Sequence, residues 1–158
     1  MRLAVTGHRP DKLGGYGRGA WNRLVAVARV ELLKLNPDLV ITGMALGWDQ
    51  AIARACVSLE IPFDAYIPFD GQAKVWPPES QEMYYALLRN SRSKRVICPG
   101  KYSPWAMQVR NVAMVDNCDL LLALWNGSDG GTANCVKYAT KIGVEIVNCW
   151  ESFSKEDR

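Results

Sequence analysis

Six short runs of apolar, largely β-prone residues alternate along this chain with stretches of helical spacing, and three of the runs lead straight into glycine-rich turns. Alternation of this kind builds βαβ units, in which parallel strands are covered by their crossover helices. The runs fall at residues 2–6, 39–42, 62–68, 95–98, 119–125 and 145–149. Between the first two, Trp21, Leu24, Val25, Ala28 and Leu32 recur on one face of a helix over 20–35, which Asn36-Pro37 ends. Further helices are predicted over 48–59, 79–89 and 133–141. Another starts at Ser103, with Ser as N-cap and Pro104 in the first turn. The unbroken Leu120-Leu121-Leu122-Ala123-Leu124 marks a strand buried on both faces at the sheet centre. The expected fold is α/β and doubly wound, a mostly parallel sheet of about six strands with helices on both faces.

A chain of 158 residues suits one domain, predicted to span 1–150, with 151–158 as a frayed polar tail. Apolar residues at 49% and charged residues at 22% exclude a disordered chain. No apolar run approaches the ~18 residues of a membrane span, and the N-terminus lacks a signal peptide's apolar stretch. The five cysteines are odd in number, scattered and without CxxC spacing, which reads as reduced thiols in the cytoplasm. No metal site and no resident cofactor are expected, and with His8 the only histidine a Ser/His/Asp triad has little to work with. A net charge of +3 is too mild to argue for nucleic acid by itself.

Ligands of doubly wound sheets bind beyond the carboxyl ends of the strands, and three glycine-rich loops fall on that edge. The first contributes Gly7, His8 and Arg9. The second, residues 43–50, contributes Gly43, Met44, Ala45, Gly47, Asp49 and Gln50. The third contributes Asp129, Gly130, Gly131 and Thr132. Glycine lets backbone N–H groups approach a ligand, and a following helix N-terminus favours an anion. None of the loops is a GxGxxG or a GxxxxGK[ST], so dinucleotide and P-loop readings are weak; the plainer alternative is that the glycines only make tight turns.

Arg110 lies on an apolar helical stripe between Met107 and Met114, with Gln108 and Asn111 facing elsewhere. A guanidinium there needs an anion or a route to water. A ligand phosphate, an ion pair with Asp116 or Asp119, and snorkelling all stay open. Trp48 and Trp76 flank the expected cleft as candidate stacking rings, although tryptophans mostly enter cores. Arg89, Arg92, Lys94, Arg95 and Lys101 form the one basic run, either a solvated surface or a groove for single strands.

Thr6-Gly7-His8-Arg9-Pro10, Gly43-Met44-Ala45-Leu46-Gly47-Trp48-Asp49-Gln50, Arg110-Asn111-x-x-Met114 and Gly130-Gly131-Thr132 together resemble the SLOG superfamily, and within it the YpsA-like branch. That group includes DNA-processing protein A and the LOG proteins. The resemblance implies a Rossmann-like fold binding nucleotides or nucleotide-derived ligands, often as a homodimer. In LOG enzymes, which hydrolyse the N-glycosidic bond of nucleoside monophosphates, the matching arginine is Arg110 and the phosphate loop is residues 127–132. Their acidic residue three positions after the loop threonine is Cys135 here, with Asn134 before it. That departure removes the carboxylate that would stabilise positive charge on the ribose. Asp49 or Asp129 could substitute; otherwise Asp49 is a helix N-terminal charge and Asp129 a turn former. A Cys135 thiolate nucleophile is the less expected alternative to a packing cysteine.

Three functions therefore stand. The first is a sensor or sequestering module for a mononucleotide, ADP-ribose or cyclic relative, held by Arg110, Thr132 and the loop amides. The second is an N-glycosidase using Arg110 with Asp49 or Asp129. The third, not favoured, is a DNA-processing-protein-like binder of single-stranded DNA.

Overall fold

The computed structural model describes residues 1–155. In chain order the elements are β1 (Arg2–Gly7), α1 (Arg18–Leu35), β2 (Leu39–Thr42), α2 (Trp48–Leu59), β3 (Phe63–Ile67), α3 (Pro78–Arg89), β4 (Ser93–Val96), α4 (Pro104–Asp116), β5 (Leu120–Leu124), α5 (Gly131–Ile142), β6 (Glu145–Asn148) and α6 (Trp150–Lys155). A 3-10 turn, Pro10–Lys12, leaves β1. The six strands form one all-parallel sheet in the order β4-β3-β2-β1-β5-β6.

Alternation along the strands divides the core into two layers. Leu3, Val5, Val40, Phe63, Leu120, Leu122 and Leu124 face α1, α2 and α3. Ala4, Ile41, Tyr66, Leu121 and Ala123 face α4 and α5, whose Met114, Val115, Cys135, Val136 and Ala139 complete the second layer. The leucine run of β5 is thus buried on both faces, but β5 lies between β1 and β6 and the centre belongs to β1 and β2. At α4, Ser103 Oγ accepts from Ala106 N (3.0 Å), the cap its sequence implied. The sheet edges are the short polar strands β4 and β6, which discourage pairing with other chains.

Two segments differ from the sequence reading. The β4 strand occupies Ser93–Val96 where 95–98 was predicted, because Arg92 clamps Asp64 through two side-chain bonds of 2.9 and 2.7 Å and fixes register from the polar end. The apolar Val96-Ile97-Cys98 only extends that ladder, with Ile97 N and Cys98 N donating to Ile67 O and Pro68 O. The segment read as a frayed tail from 151 carries α6, whose Phe153 is buried in the larger core layer beneath Arg23, 4.1 Å from guanidinium carbon to ring centre. One aromatic among polar residues is too weak a periodic signal to reveal that docking. No helix among the described residues is long and apolar enough to cross a membrane.

Phe153→Ala should lower the unfolding free energy by about 3 kcal/mol in urea titration, since it removes a buried ring and leaves a cavity. A loss below about 0.5 kcal/mol, the range of surface substitutions, would mean that α6 contributes no core packing.

Candidate functional site

Moving from β1 to β4, helices α1, α2 and α3 cover one face; after the chain returns to β5, α4 and α5 cover the other. Adjacent strands β1 and β5 therefore send their loops apart, and a crevice opens between them, as switch points of such sheets require. The cleft there has a volume of about 270 Å³ and is lined by residues of all three glycine-rich loops and of α4.

Its walls follow from local bonds. At the end of β1, a Cβ on Gly7 would come within 2.6 Å of Trp48 Cβ, so only glycine lets α2 start against this strand. Trp48 N donates to His8 O (3.2 Å), fastening the second loop to the first. His8 then links β1 to the third loop, with its Nε2 accepting from Asn126 N (3.0 Å). Burial foremost, then Lys12, pulls the imidazole below its ordinary pKa, which keeps Nε2 free to accept. Across the mouth, Lys12 Nζ donates to Ser128 Oγ (3.0 Å). No side chain caps α5 at Gly130, and Asn134 N takes the Gly130 carbonyl (3.0 Å). The preceding amides of the first turn are left without an intrahelical acceptor, a ready donor set for an anion.

Arg110 forms the inner wall. Its Nε donates to Asn111 Oδ1 (3.0 Å), and its Nη1 to Gly43 O (2.7 Å) and more weakly to Tyr66 O (3.4 Å). A Cβ at Gly43 would sit 2.6 Å from Arg110 Cζ, so a side chain there would displace the guanidinium from this position. Gly43 O also accepts from Gln72 Nε2 (3.1 Å), and Gln72 Oε1 from the Tyr84 hydroxyl (3.2 Å), so a buried chain steadies the guanidinium. The carboxylates considered as ion-pair partners are used elsewhere: Asp116 accepts from the Tyr138 hydroxyl (2.6 Å) and Asp119 from Arg2 N (2.7 Å). Arg110 is 4% exposed, so it does not snorkel.

Asp49, in the first turn of α2, is 7% exposed. Its Oδ2 accepts from Ala45 N (3.2 Å), while its buried Oδ1 has no hydrogen-bond partner. Burial pushes this carboxyl from 3.8 up to about 6, against the pull of Arg110, the Ala45 amide and Arg9.

Of the residues singled out in the sequence, Gly7, His8, Arg9, Ala45, Asp49, Arg110, Asp129, Gly130, Gly131 and Thr132 all line this cleft. Gly43, Met44, Gly47 and Gln50 do not. Gly43 backs Arg110, Met44 is in the core, and Gln50 Nε2 donates to Met44 O (3.1 Å). Gly47 and Gln50 instead edge a second, more apolar cleft with Tyr16, Trp21 and Met83. Trp48 is fully buried and Trp76 packs edge-on against Tyr84, so neither offers a ring to the cleft. Cys135 is buried with its thiol pushed up to about 11, chiefly by desolvation, and is a packing residue. Asn111, read as facing elsewhere, lines the cleft because its side chain turns to Arg110. Met107 of the Arg110 stripe and Ser128 of the loop 127–132 also line it, as does Lys12, which carried no sequence signal. In the basic run, Arg92 is tied to Asp64, and Arg95 to the Tyr66 hydroxyl (3.1 Å). Among the described residues no three His, Cys, Asp or Glu side chains gather as a metal site.

The family model described as YpsA, the YspA SLOG family, matches residues 3–145. The chain belongs to this SLOG family. Among its relatives is the uncharacterized SPbeta prophage-derived protein YoqJ of Bacillus subtilis, 35% identical over 155 residues that cover 85% of this chain and 90% of that protein. A UPF0398 protein of Bacillus cereus is 23% identical, covering 92% and 85%. The SLOG fold recurs in DNA processing protein A from Helicobacter pylori, solved for its single-stranded DNA binding mode (TM-score 0.61, 18% identity). That match covers 92% of this chain and 63% of that one. It recurs also in the molybdenum cofactor carrier protein of Chlamydomonas reinhardtii (TM-score 0.58, 13% identity, 93% and 74% covered).

A carboxyl whose pKa rises on folding binds its proton more tightly in the native state. Its favourable contribution is complete below about 3.8 and is lost as pH rises through about 6. Relative to Asp49→Asn, wild type should lose up to about 3 kcal/mol of unfolding free energy between pH 4 and pH 8 in urea titrations. A difference between the two proteins that does not change with pH would show that Asp49 is solvated in the native state.

Proposed function

We propose that this chain binds a small nucleotide-derived ligand, a mononucleotide, ADP-ribose or cyclic relative, and acts as a sensor or sequestering module. The observation that carries this reading is the uncapped first turn of α5 standing across the switch-point cleft from the buried Arg110. Cations and carboxylates are equal in number along the cleft, Arg9, Lys12 and Arg110 against Asp11, Asp49 and Asp129. The bias toward an anion therefore comes from the α5 amides and from the guanidinium. A homodimer acting in the cytoplasm belongs to the same reading, on the strength of the family and of the unpaired cysteines.

One observation favours a second reading, an N-glycosidase acting on nucleoside monophosphates. Asp49 lines the same cleft as Arg110, and with its carboxyl raised to about 6 it is suited to general acid–base work near neutrality. Single-stranded DNA is the less favoured reading, since Arg92 and Arg95 of the basic run are engaged within the protein.

A thermal-shift screen of nucleotides, cyclic dinucleotides and ADP-ribose derivatives, with mass spectrometry of the same mixtures, separates these readings. A ligand at a hundred times its dissociation constant should add about 2.7 kcal/mol, a shift of several degrees, and be recovered intact. Arg110→Ala should abolish the shift, and Arg110→Lys should weaken it, because lysine offers one nitrogen where the guanidinium uses Nε for Asn111 and Nη1 for Gly43. Recovery of free base plus sugar phosphate would establish the enzyme. Binding only to oligonucleotides, falling steeply with salt, would establish the DNA reading.

A further inference from the structure

The floor of the cleft is built differently from its rim. The rim carries Arg9, Lys12 and the first turn of α5, groups that answer a phosphate. The floor carries Asp49 and Asn111, both more than nine-tenths buried. Asp49 Oδ1 is an acceptor with no donor. Asn111 Oδ1 accepts from Arg110 Nε, and its Nδ2, which is not sealed from solvent, makes no hydrogen bond to the other described residues. A buried acceptor left in the condition of Asp49 Oδ1 is destabilising until something satisfies it. A hydroxyl can both donate to Asp49 Oδ1 and accept from Asn111 Nδ2, and a sugar ring presents several.

No tryptophan, tyrosine or phenylalanine lines the cleft. Its single ring, His8, is taken by Asn126 and by an edge contact with Trp150 at 5.9 Å. A base would find no free aromatic face on which to stack. At about 270 Å³ the cleft is also slightly below the ordinary range of ligand cavities.

We infer that the cleft reads the sugar-phosphate part of its ligand: phosphate at the rim, sugar hydroxyls at Asp49 and Asn111, and the base left unread. This rests on the cleft being the phosphate site proposed above. The ligand class is then a phosphorylated sugar, free or carrying any base.

Asp49→Asn gives a sharp test. Its amide oxygen must face the Ala45 N–H, which puts Nδ2 where Oδ1 stood and replaces the acceptor by a donor. Calorimetric titration at pH 7.5 would compare inorganic phosphate, propyl phosphate and ribose 5-phosphate on both proteins. Wild type should bind ribose 5-phosphate at least about tenfold tighter than propyl phosphate, the effect of a hydrogen bond to a charged group. In Asp49→Asn that advantage should vanish, while inorganic phosphate binds more tightly because a negative charge has gone. AMP and UMP should bind wild type within about fivefold of each other.

Equal affinity of wild type for propyl and ribose phosphates, or an unchanged sugar advantage in the variant, overturns the inference and leaves the phosphate site standing. A larger spread between AMP and UMP overturns the unread base. If no phosphate compound binds wild type, the proposed function fails and the inference with it. Should Asp49→Asn not fold, the comparison of propyl and ribose phosphates on wild type decides.

Discussion

A guanidinium buried at the carboxyl edge of the sheet organises the rest of this molecule. Arg110 comes from α4 on one face and bonds the Gly43 carbonyl at the end of β2, while Gln72, from the loop after β3, bonds that carbonyl as well. One backbone oxygen thus joins the two layers where the cleft opens. Removing a charge from water is tolerable only when its donors find acceptors, and here Gly43, Tyr66 and Asn111 supply them. The absence of a side chain at Gly43 is part of the same arrangement.

Asp49 is the counterweight. It is close enough to support the charge on Arg110, yet desolvation acts on it more strongly than Arg110 does. A carboxylate kept dry with one oxygen unanswered destabilises the fold above about pH 6, a form of strain that functional sites often retain. The same feature explains why binding and hydrolysis are closely related readings of this cleft. Both need the phosphate end at α5, and they differ in whether Asp49 holds a hydroxyl or moves a proton.

Belonging to the SLOG family accounts for the glycine loops and the sheet order but leaves the ligand open, because relatives of this fold are described by very different cargoes. A DNA-binding protein and a molybdenum cofactor carrier share it at 18% and 13% identity. Function on such a scaffold resides in the side chains that loops bring to the switch point. At the switch point here lie Arg9 and Lys12 at the rim, with Asp49 from α2 and Arg110 and Asn111 from α4 deeper in the cleft.

Much of this was legible in the residues. Short β-prone runs and helical spacing announce the α/β alternation, and glycine after a strand announces a loop on the carboxyl edge of the sheet, because both signals are local. Arg110 could be singled out because a charge on an apolar stripe is anomalous wherever the stripe packs. What binds it could not: Gly43 is 67 positions away, and no spacing rule connects a backbone carbonyl to a distant guanidinium. Asn111 was misread because a helical wheel places residues by backbone angle, whereas its side chain turns to a neighbour. Phe153 was hidden because a single ring in a polar segment docks only once a core exists to receive it. The sequence by itself determined the layers, the loops and the family, all set by local pattern. Only the tertiary structure decided which loop residues line the cleft, because that depends on which strands lie side by side.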